Sequence, residues 1–344
     1  MTATDGGAVR AHYAELRAAV APFERSGRAA SASQLAVTLV LFIATCAAMY
    51  GTLAVSYPLT LVLSVPAAGL LVRLFIFQHD CGHGAYFASS RANRIAGIVC
   101  SVFTLTPYEN WRRQHARHHG NWNNLDRRAA GVDIYGACLT VREYRALSFW
   151  HRALYRHIRN PFLTYLILPP LVFVMLYRIP FDTPAAWRRE RNAVYWTDAL
   201  LVASFGGLGL LLGFKAVLMV QAPIVILGSI IGVWLFAVQH RFDGAQWTRQ
   251  AEWNAADAAL DSTSYLKLPA ILRWFTGNIG FHHIHHLSVR VPNYRLAACH
   301  AANPTLHRVT TLSLWSAIKS VRLVLWDEDR QRLISFGELQ ATGG

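Results

Sequence analysis

Residues 35–57 form a run of 23 without a single charged side chain, and residues 58–78 continue it with one interruption, Arg73. About 20 apolar residues at 1.5 Å rise cross the hydrocarbon core of a bilayer, where the backbone must satisfy its own hydrogen bonds. The run therefore reads as two membrane helices joined by a tight turn. Arg73, near the end of the second, is expected to snorkel its head to the interface. Residues 196–214 and 216–238 form a second pair, joined by little more than Lys215. A fifth apolar stretch, 162–177, is shorter and is broken by Pro169-Pro170, and 95–105 is too short to cross. Charged residues make up 15% of the chain, against about 25% in soluble domains.

The net charge is +14 and comes mainly from arginine, since the lysines are Lys215, Lys267 and Lys319 alone. Basic residues crowd 10–28, 112–159, 188–191 and 241–332, and the turns near Tyr57 and Lys215 carry almost none. The positive-inside rule then puts the basic regions and both termini on the cytoplasmic face, with four crossings. On that count 162–177 must be re-entrant or interfacial. A membrane surface or an acidic protein is a better partner for this charge than nucleic acid, which is not expected. The first thirty residues are polar and basic, so no secretory signal is evident. The cysteines (46, 81, 100, 138 and 299) lack C-x-x-C spacing and imply no disulfide framework. No internal repeat or low-complexity linker divides the chain. Gly206, Gly207, Gly209 and Gly213, inside an apolar span, are expected to be helix-packing positions rather than a nucleotide loop.

Among 15 histidines, three tight clusters stand out: His79-Asp80-Cys81-Gly82-His83, His115-Ala116-Arg117-His118-His119 and His282-His283-Ile284-His285-His286. Residues three and four apart share a helix face, so each cluster can aim two or three imidazoles at one point. One such cluster alone could be a metal-sticky loop or a set of satisfied histidines. Three in one apolar chain are a metal site, with more nitrogen ligands than one ion needs, and two ions are the economical reading. The clusters must meet, so an even number of crossings separates them, as 196–238 provides.

Thr106-Pro107-Tyr108-Glu109 predicts a helix start with a threonine cap, proline at N1 and a capping box to Glu109. That helix would carry Trp111, His115, His118 and His119. Residues 276–280 break the chain before the third cluster, and Pro292 follows it. Val141, Tyr144, Leu147, Leu154 and Ile158 form one amphipathic stripe, and Leu312, Trp315 and Ile318 another, each expected to lie on the membrane or against the metal-bearing helices.

The order HDCGH, HARHH, HHIHH between two apolar hairpins resembles the membrane fatty acid desaturase family. The runs QHDCGHG, LTPYENWRRQHARHH, NLDRR, VQHRFD and WFTGNIGFHHIHHLSVRVPNYRL are similar to bacterial members of the Δ12/ω-6 acyl-lipid type. The likeness covers roughly residues 35–330. It implies an all-α integral membrane protein: four transmembrane helices in two hairpins, with a cytosolic helical cap carrying a histidine-rich dimetal site. A single desaturase domain, 1–344, would comprise an arm (1–34), the first hairpin (35–78), the first two boxes (79–160), a re-entrant segment (161–195), the second hairpin (196–238) and the third box with the cap (239–344).

Carried over position by position, the resemblance implies that His79, His83, His115, His118, His119, His282, His285 and His286 are metal ligands. His240, just after the last span, is the ninth, and His283 falls at the variable position. Two non-haem irons, dioxygen as co-substrate and two electrons from an external ferredoxin or cytochrome would introduce a cis double bond into the acyl chain of a membrane lipid, in a bacterial inner membrane. Acid–base groups cannot break an unactivated C–H bond, which is why the chemistry falls to the cofactor. Asp80, Asp126 and Asn278 are candidates to orient ligating imidazoles, with Glu109, Asp243 and Asp257 also near in sequence. The run Arg241-Phe242-Asp243-Gly244-Ala245 departs from the more polar, acidic family pattern, and Gly120-Asn121-Trp122-Asn123 is not the family's most familiar version, which loosens any inference about double-bond position. The same boxes fit a fatty acyl hydroxylase, an acetylenase or a carotenoid oxygenase. A non-catalytic metal carrier would instead need ligands along a path across the bilayer. The oligomeric state is not legible.

Overall fold

The structure, a computed structural model, describes residues 3–128 and 135–341. Sixteen α-helices carry the described chain. They are α1 (Ala3–Val20), α2 (Arg28–Leu53), α3 (Tyr57–Gly82), α4 (Ser90–Thr104), α5 (Tyr108–Asn121), α6 (Val141–Ala146), α7 (Phe149–Ile158), α8 (Leu168–Val174), α9 (Arg188–Leu212), α10 (Phe214–Val238), α11 (Ala255–Leu260), α12 (Ala270–Phe275), α13 (His282–Leu287), α14 (Asn293–Ala302), α15 (Leu314–Ser320) and α16 (Phe336–Ala341). Five short strands tie the polar end together. β1 (Leu139–Thr140) runs parallel to β4 (Leu325–Asp327), which pairs antiparallel with β5 (Arg332–Ile334), while β2 (Tyr265–Leu266) and β3 (Thr311–Leu312) pair in parallel.

Four helices, α2, α3, α9 and α10, are long and apolar enough to cross a membrane. Their outward side chains are hydrocarbon: Val40 and Val62 are largely exposed, and Leu210 is 82% exposed. Water would penalise such a surface and lipid does not. α3 is the central element. It packs against α2, α4 and α10, and Leu70, Leu74 and Phe77 of α3 join Phe42, Met49, Cys100, Val220 and Ile224 in one core. α9 and α10 turn into each other at Gly213, whose φ of 88° suits glycine. Of the four glycines expected to pack, only Gly209 does so, under the Phe214 ring; a Cβ at Gly206 or Gly207 would meet nothing.

Residues 162–177 are not one plain helix. A five-residue π-turn, Leu163–Ile167, leads into α8, and a 3-10 turn, Leu176–Arg178, ends it. The two prolines occupy the first turn of α8, where a missing N–H costs nothing. The segment is bent by 58° from α7, the geometry of a broken span or a re-entrant loop. Its last residue, Arg178, pairs with Asp198 of α9 at 2.6 Å and also donates to the Leu105 carbonyl.

Three local expectations are corrected. Arg73 does not snorkel: it is 5% exposed, donates to Thr38 Oγ1, Gln34 Oε1 and the Trp274 carbonyl, and lies over the Trp274 ring. Each of the three guanidinium nitrogens finds an acceptor inside the bundle, which reduces the need to reach water. Thr106 does not cap α5. Its hydroxyl turns back to the Thr104 carbonyl at 2.9 Å, Pro107 takes the cap position, and Glu109 is drawn to Arg94 and Arg189. The stripe from Val141 to Ile158 is split into α6 and α7, because Ser148 caps a new helix by accepting from the His151 N–H.

Candidate metal centre

The histidine boxes sit where helices end. α3 closes at the membrane edge, presenting His79 in its last turn and His83 as its C-cap. α5 presents His115 and His119 one turn apart, with His118 between them. His240 follows the end of α10, and the short helix α13 supplies His282, His285 and His286. Four elements far apart in sequence thus aim imidazoles at one volume.

Two groups form there. The nitrogens of His79, His83, His115, His119 and His285 lie within 4.8 Å of one another, and so do those of His118, His240 and His286. His282 joins the second group through His240, Nε2 to Nε2 at 3.0 Å. α5 and α13 each serve both groups with adjacent residues, His118 with His119 and His285 with His286. All nine histidines expected from the sequence are in this volume. His283 is not: it is fully buried but faces away, with Nε2 3.3 Å from His300 Nδ1.

These donors fit metal ions. Nε2 pairs stand 3.1 Å apart at His115–His119, 3.0 Å at His119–His285 and 3.1 Å at His118–His240. Nitrogens bound at about 2.0–2.1 Å to one ion, roughly at right angles, would stand about 3 Å apart. His83 Nε2 and His286 Nε2 are buried without a hydrogen-bond partner, an expensive state for a polar atom that a metal bond relieves. Burial, and then neighbouring imidazoles, hold His115, His119, His285 and His286 well below their ordinary value of 6.5, so they are the neutral rings that ligation requires.

A cavity of about 460 Å³ abuts the histidines. His79, His115, His118 and His282 form part of its wall, and the rest is chiefly apolar, from α3 (Leu71, Phe75), α8 (Val172, Phe173) and α10 (Val225, Val233). Asn110, Gln114 and Asp182 make a polar margin. Such a space accommodates a long apolar molecule beside a metal centre.

Comparison with known proteins agrees. Residues 54–312 match the family described as fatty acid desaturase. The chain is 41% identical to a protein named fatty acid desaturase from Bacillus subtilis over 322 residues, 94% of this chain and 90% of the relative. The chain belongs to the fatty acid desaturase family. It is also similar, at 27% identity over 71% of this chain and 68% of the relative, to an sn-1 acyl-lipid omega-3 desaturase (ferredoxin) of Synechocystis. An sn-1 oleoyl-lipid 12-desaturase of the same organism is 25% identical over 67% of this chain and 64% of the relative. The protein is thus an oxidoreductase, and its apolar helices mark it as an integral membrane enzyme.

Around the desaturase histidines the expected orienting residues divide. Asp80 lies against His79, Oδ1 to Nδ1 at 3.1 Å. Asn278 acts at a distance: its amide donates to the Asn293 carbonyl, and Asn293 donates to Asp80. Asp126 instead accepts from Arg249 and from the Gln250 N–H, tying the second-box loop to the segment after α10. Glu109 serves ion pairs, and the Asp257 carboxylate accepts from the amide of Asn254, the residue that caps α11.

Sequence reasoning missed Trp122 and Phe236. Trp122 lies 4.0 Å from the His240 ring centroid and 5.0 Å from that of His118, and Phe236 lies 4.9 Å from His240. Each stands four residues in sequence from a histidine at the end of a helix, and Trp111, four residues before His115 on α5, stacks on it at 4.6 Å and 16°. That spacing was the available signal.

Proposed function

We propose that this desaturase introduces a cis double bond into the acyl chain of a membrane lipid, at a Δ12/ω-6-type position, using dioxygen and two iron ions held by His79, His83, His115, His118, His119, His240, His282, His285 and His286. The observation that carries the reading is the apolar cavity whose wall includes four of these histidines. Two hydrogens leave the chain, two electrons and two protons come from outside, and dioxygen leaves as two waters. Bound iron would supply the oxidising power that no side chain has.

The chain's own residues do the rest. Leu71, Phe75, Phe173 and Val233 exclude water and hold the acyl chain beside the histidines. Trp111 fixes the ring of His115 by stacking, and Trp122 packs at a tilt against that of His240. Asp80 accepts from His79 Nδ1, which leaves Nε2 of that ring for iron. Electrons arrive from a separate donor, a ferredoxin or a cytochrome. Support comes from the ferredoxin named for the Synechocystis relative and from the net charge of +14, which favours an acidic carrier.

The centre is assigned to the cytoplasmic face of a bacterial inner membrane, on a single domain with four crossings. This reading is supported by the ion pair between Arg113 of α5 and Glu190 of α9 at 2.8 Å, and by that between Glu109 and Arg189 at 2.7 Å. Both draw the start of α9 to the end of the bundle that holds the second histidine box.

The test is lipid profiling of a desaturase-free bacterial host expressing the chain, in air and without oxygen. New cis-unsaturated acyl chains in air alone are the expected result. Hydroxylated chains would assign a hydroxylase to the same site, and no modified lipid at all would overturn the reading.

A further inference from the structure

α10 lines the cavity with Val225, Gly228, Ser229, Gly232 and Val233, and two of these positions are glycines that differ in kind. At Gly228 an added Cβ would come within 2.8 Å of the Leu71 side chain, so this glycine exists for helix packing. At Gly232 an added Cβ would meet nothing within 4 Å. The missing side chain at 232 therefore belongs to the cavity.

Helix rise places this gap. Gly232 is eight residues before His240 on α10, and Leu71 is eight residues before His79 on α3, so each lies about 12 Å from its histidine along the helix. Both line the cavity beyond the histidines, with Gly232 one turn nearer to them than Gly228, against which the Leu71 side chain packs. A chain whose reacting carbons stand at the histidines must pass this level with its remaining length.

We propose that Gly232 is a specificity-determining residue: its lack of a side chain sets the bore of the cavity, and hence how much acyl chain extends past the metal centre. The inference rests on reading the cavity as the acyl-chain site. Gly232→Ala, Gly232→Val and Gly232→Leu fill the bore in steps. Because nothing lies within 4 Å of the first added carbon, the alanine variant leaves the backbone packing undisturbed.

The experiment offers each variant, in the lipid-profiling host, phospholipids carrying tetradecanoyl, hexadecanoyl or octadecanoyl chains. Conversion of the longest relative to the shortest falls stepwise, by roughly tenfold or more in the leucine variant, as expected for methylene-sized changes in an apolar pocket. Bound metal per chain stays at the wild-type value. An unchanged length ratio, or an equal fall at all lengths, overturns the proposal. A second arm is independent of catalysis: native mass spectrometry of the purified protein with dioctadecanoyl and ditetradecanoyl phosphatidylcholine. The wild type retains both and the leucine variant sheds the longer one, and identical retention again overturns it. Should the wild type desaturate nothing, the enzymatic reading fails while this arm still decides the role of Gly232.

Discussion

Asn293 donates twice to one oxygen of Asp80, from its backbone N–H at 2.7 Å and from its side-chain amide at 2.9 Å, while the other oxygen of Asp80 meets His79. The first histidine box is thereby oriented by a residue at the start of α14, more than 200 positions away in the chain. Asp80→Asn and Asn293→Ala should each weaken metal binding roughly 10- to 100-fold, the usual cost of losing a group that orients a ligating histidine. Metal titration of the purified variants checks this. Wild-type affinity in both would show that Asp80 serves packing alone.

The nine histidines should hold two iron atoms per chain. Metal analysis with X-ray absorption should give a nitrogen-rich shell, and removal by a chelator should lower the melting temperature, because ions that bind only the folded state stabilise it. A single zinc in active material would sink the two-iron assignment.

His240 and His283 separate cleanly by position. Replacing His240, whose Nε2 lies 3.1 Å from His118 and 3.0 Å from His282, with alanine should abolish activity in a protein that still inserts and folds. His283→Ala should keep most activity, since His283 contacts His300 rather than the centre. The reverse pattern in the lipid profile would reassign the ninth ligand.

Acid should act on the metal-free protein through these rings. His115, His119, His285 and His286 are held well below 6.5 by burial, so the unfolded chain binds more protons than the folded one once the pH falls under that value. The stabilisation is full above 6.5 and is lost progressively as the pH drops toward the folded-state values. Thermal unfolding followed from pH 8 down to pH 5 should show the melting temperature falling below about 6.5. A flat profile would mean that the rings are solvated.

Single cysteines placed near Arg128, near Arg188 and after His286 should all react with a membrane-impermeant reagent from the cytoplasmic side alone. Outside labelling near Arg188 would make residues 163–178 a full crossing.

What the sequence made legible was whatever rests on local spacing. The three boxes and the four long apolar helices follow from residues three, four or twenty apart. His240 has no box of its own and was reached through family resemblance. Asn293 and the remote action of Asn278 were out of reach, because their partner is supplied by tertiary packing. Thr106 shows the opposite error: a sequence that satisfies the capping pattern was overruled when Glu109 found Arg94 and Arg189. The Val141–Ile158 stripe was misread because Ser148 looks like any polar residue on a helix until its hydroxyl caps the next one.

Arg73 also bears on the order in which the protein is assembled. Gln34 and Thr38 are on the neighbouring helix and can receive its guanidinium as soon as the first hairpin inserts. The Trp274 carbonyl lies 201 residues downstream and reaches Arg73 only when α12 docks. An arginine in a membrane helix costs up to about 2.5–3.5 kcal/mol on insertion scales, the value at the helix centre. Until synthesis is nearly complete, the hairpin therefore carries a cation that is only partly matched. The arrival of α12 supplies the last acceptor and, a few residues later, the third set of histidines.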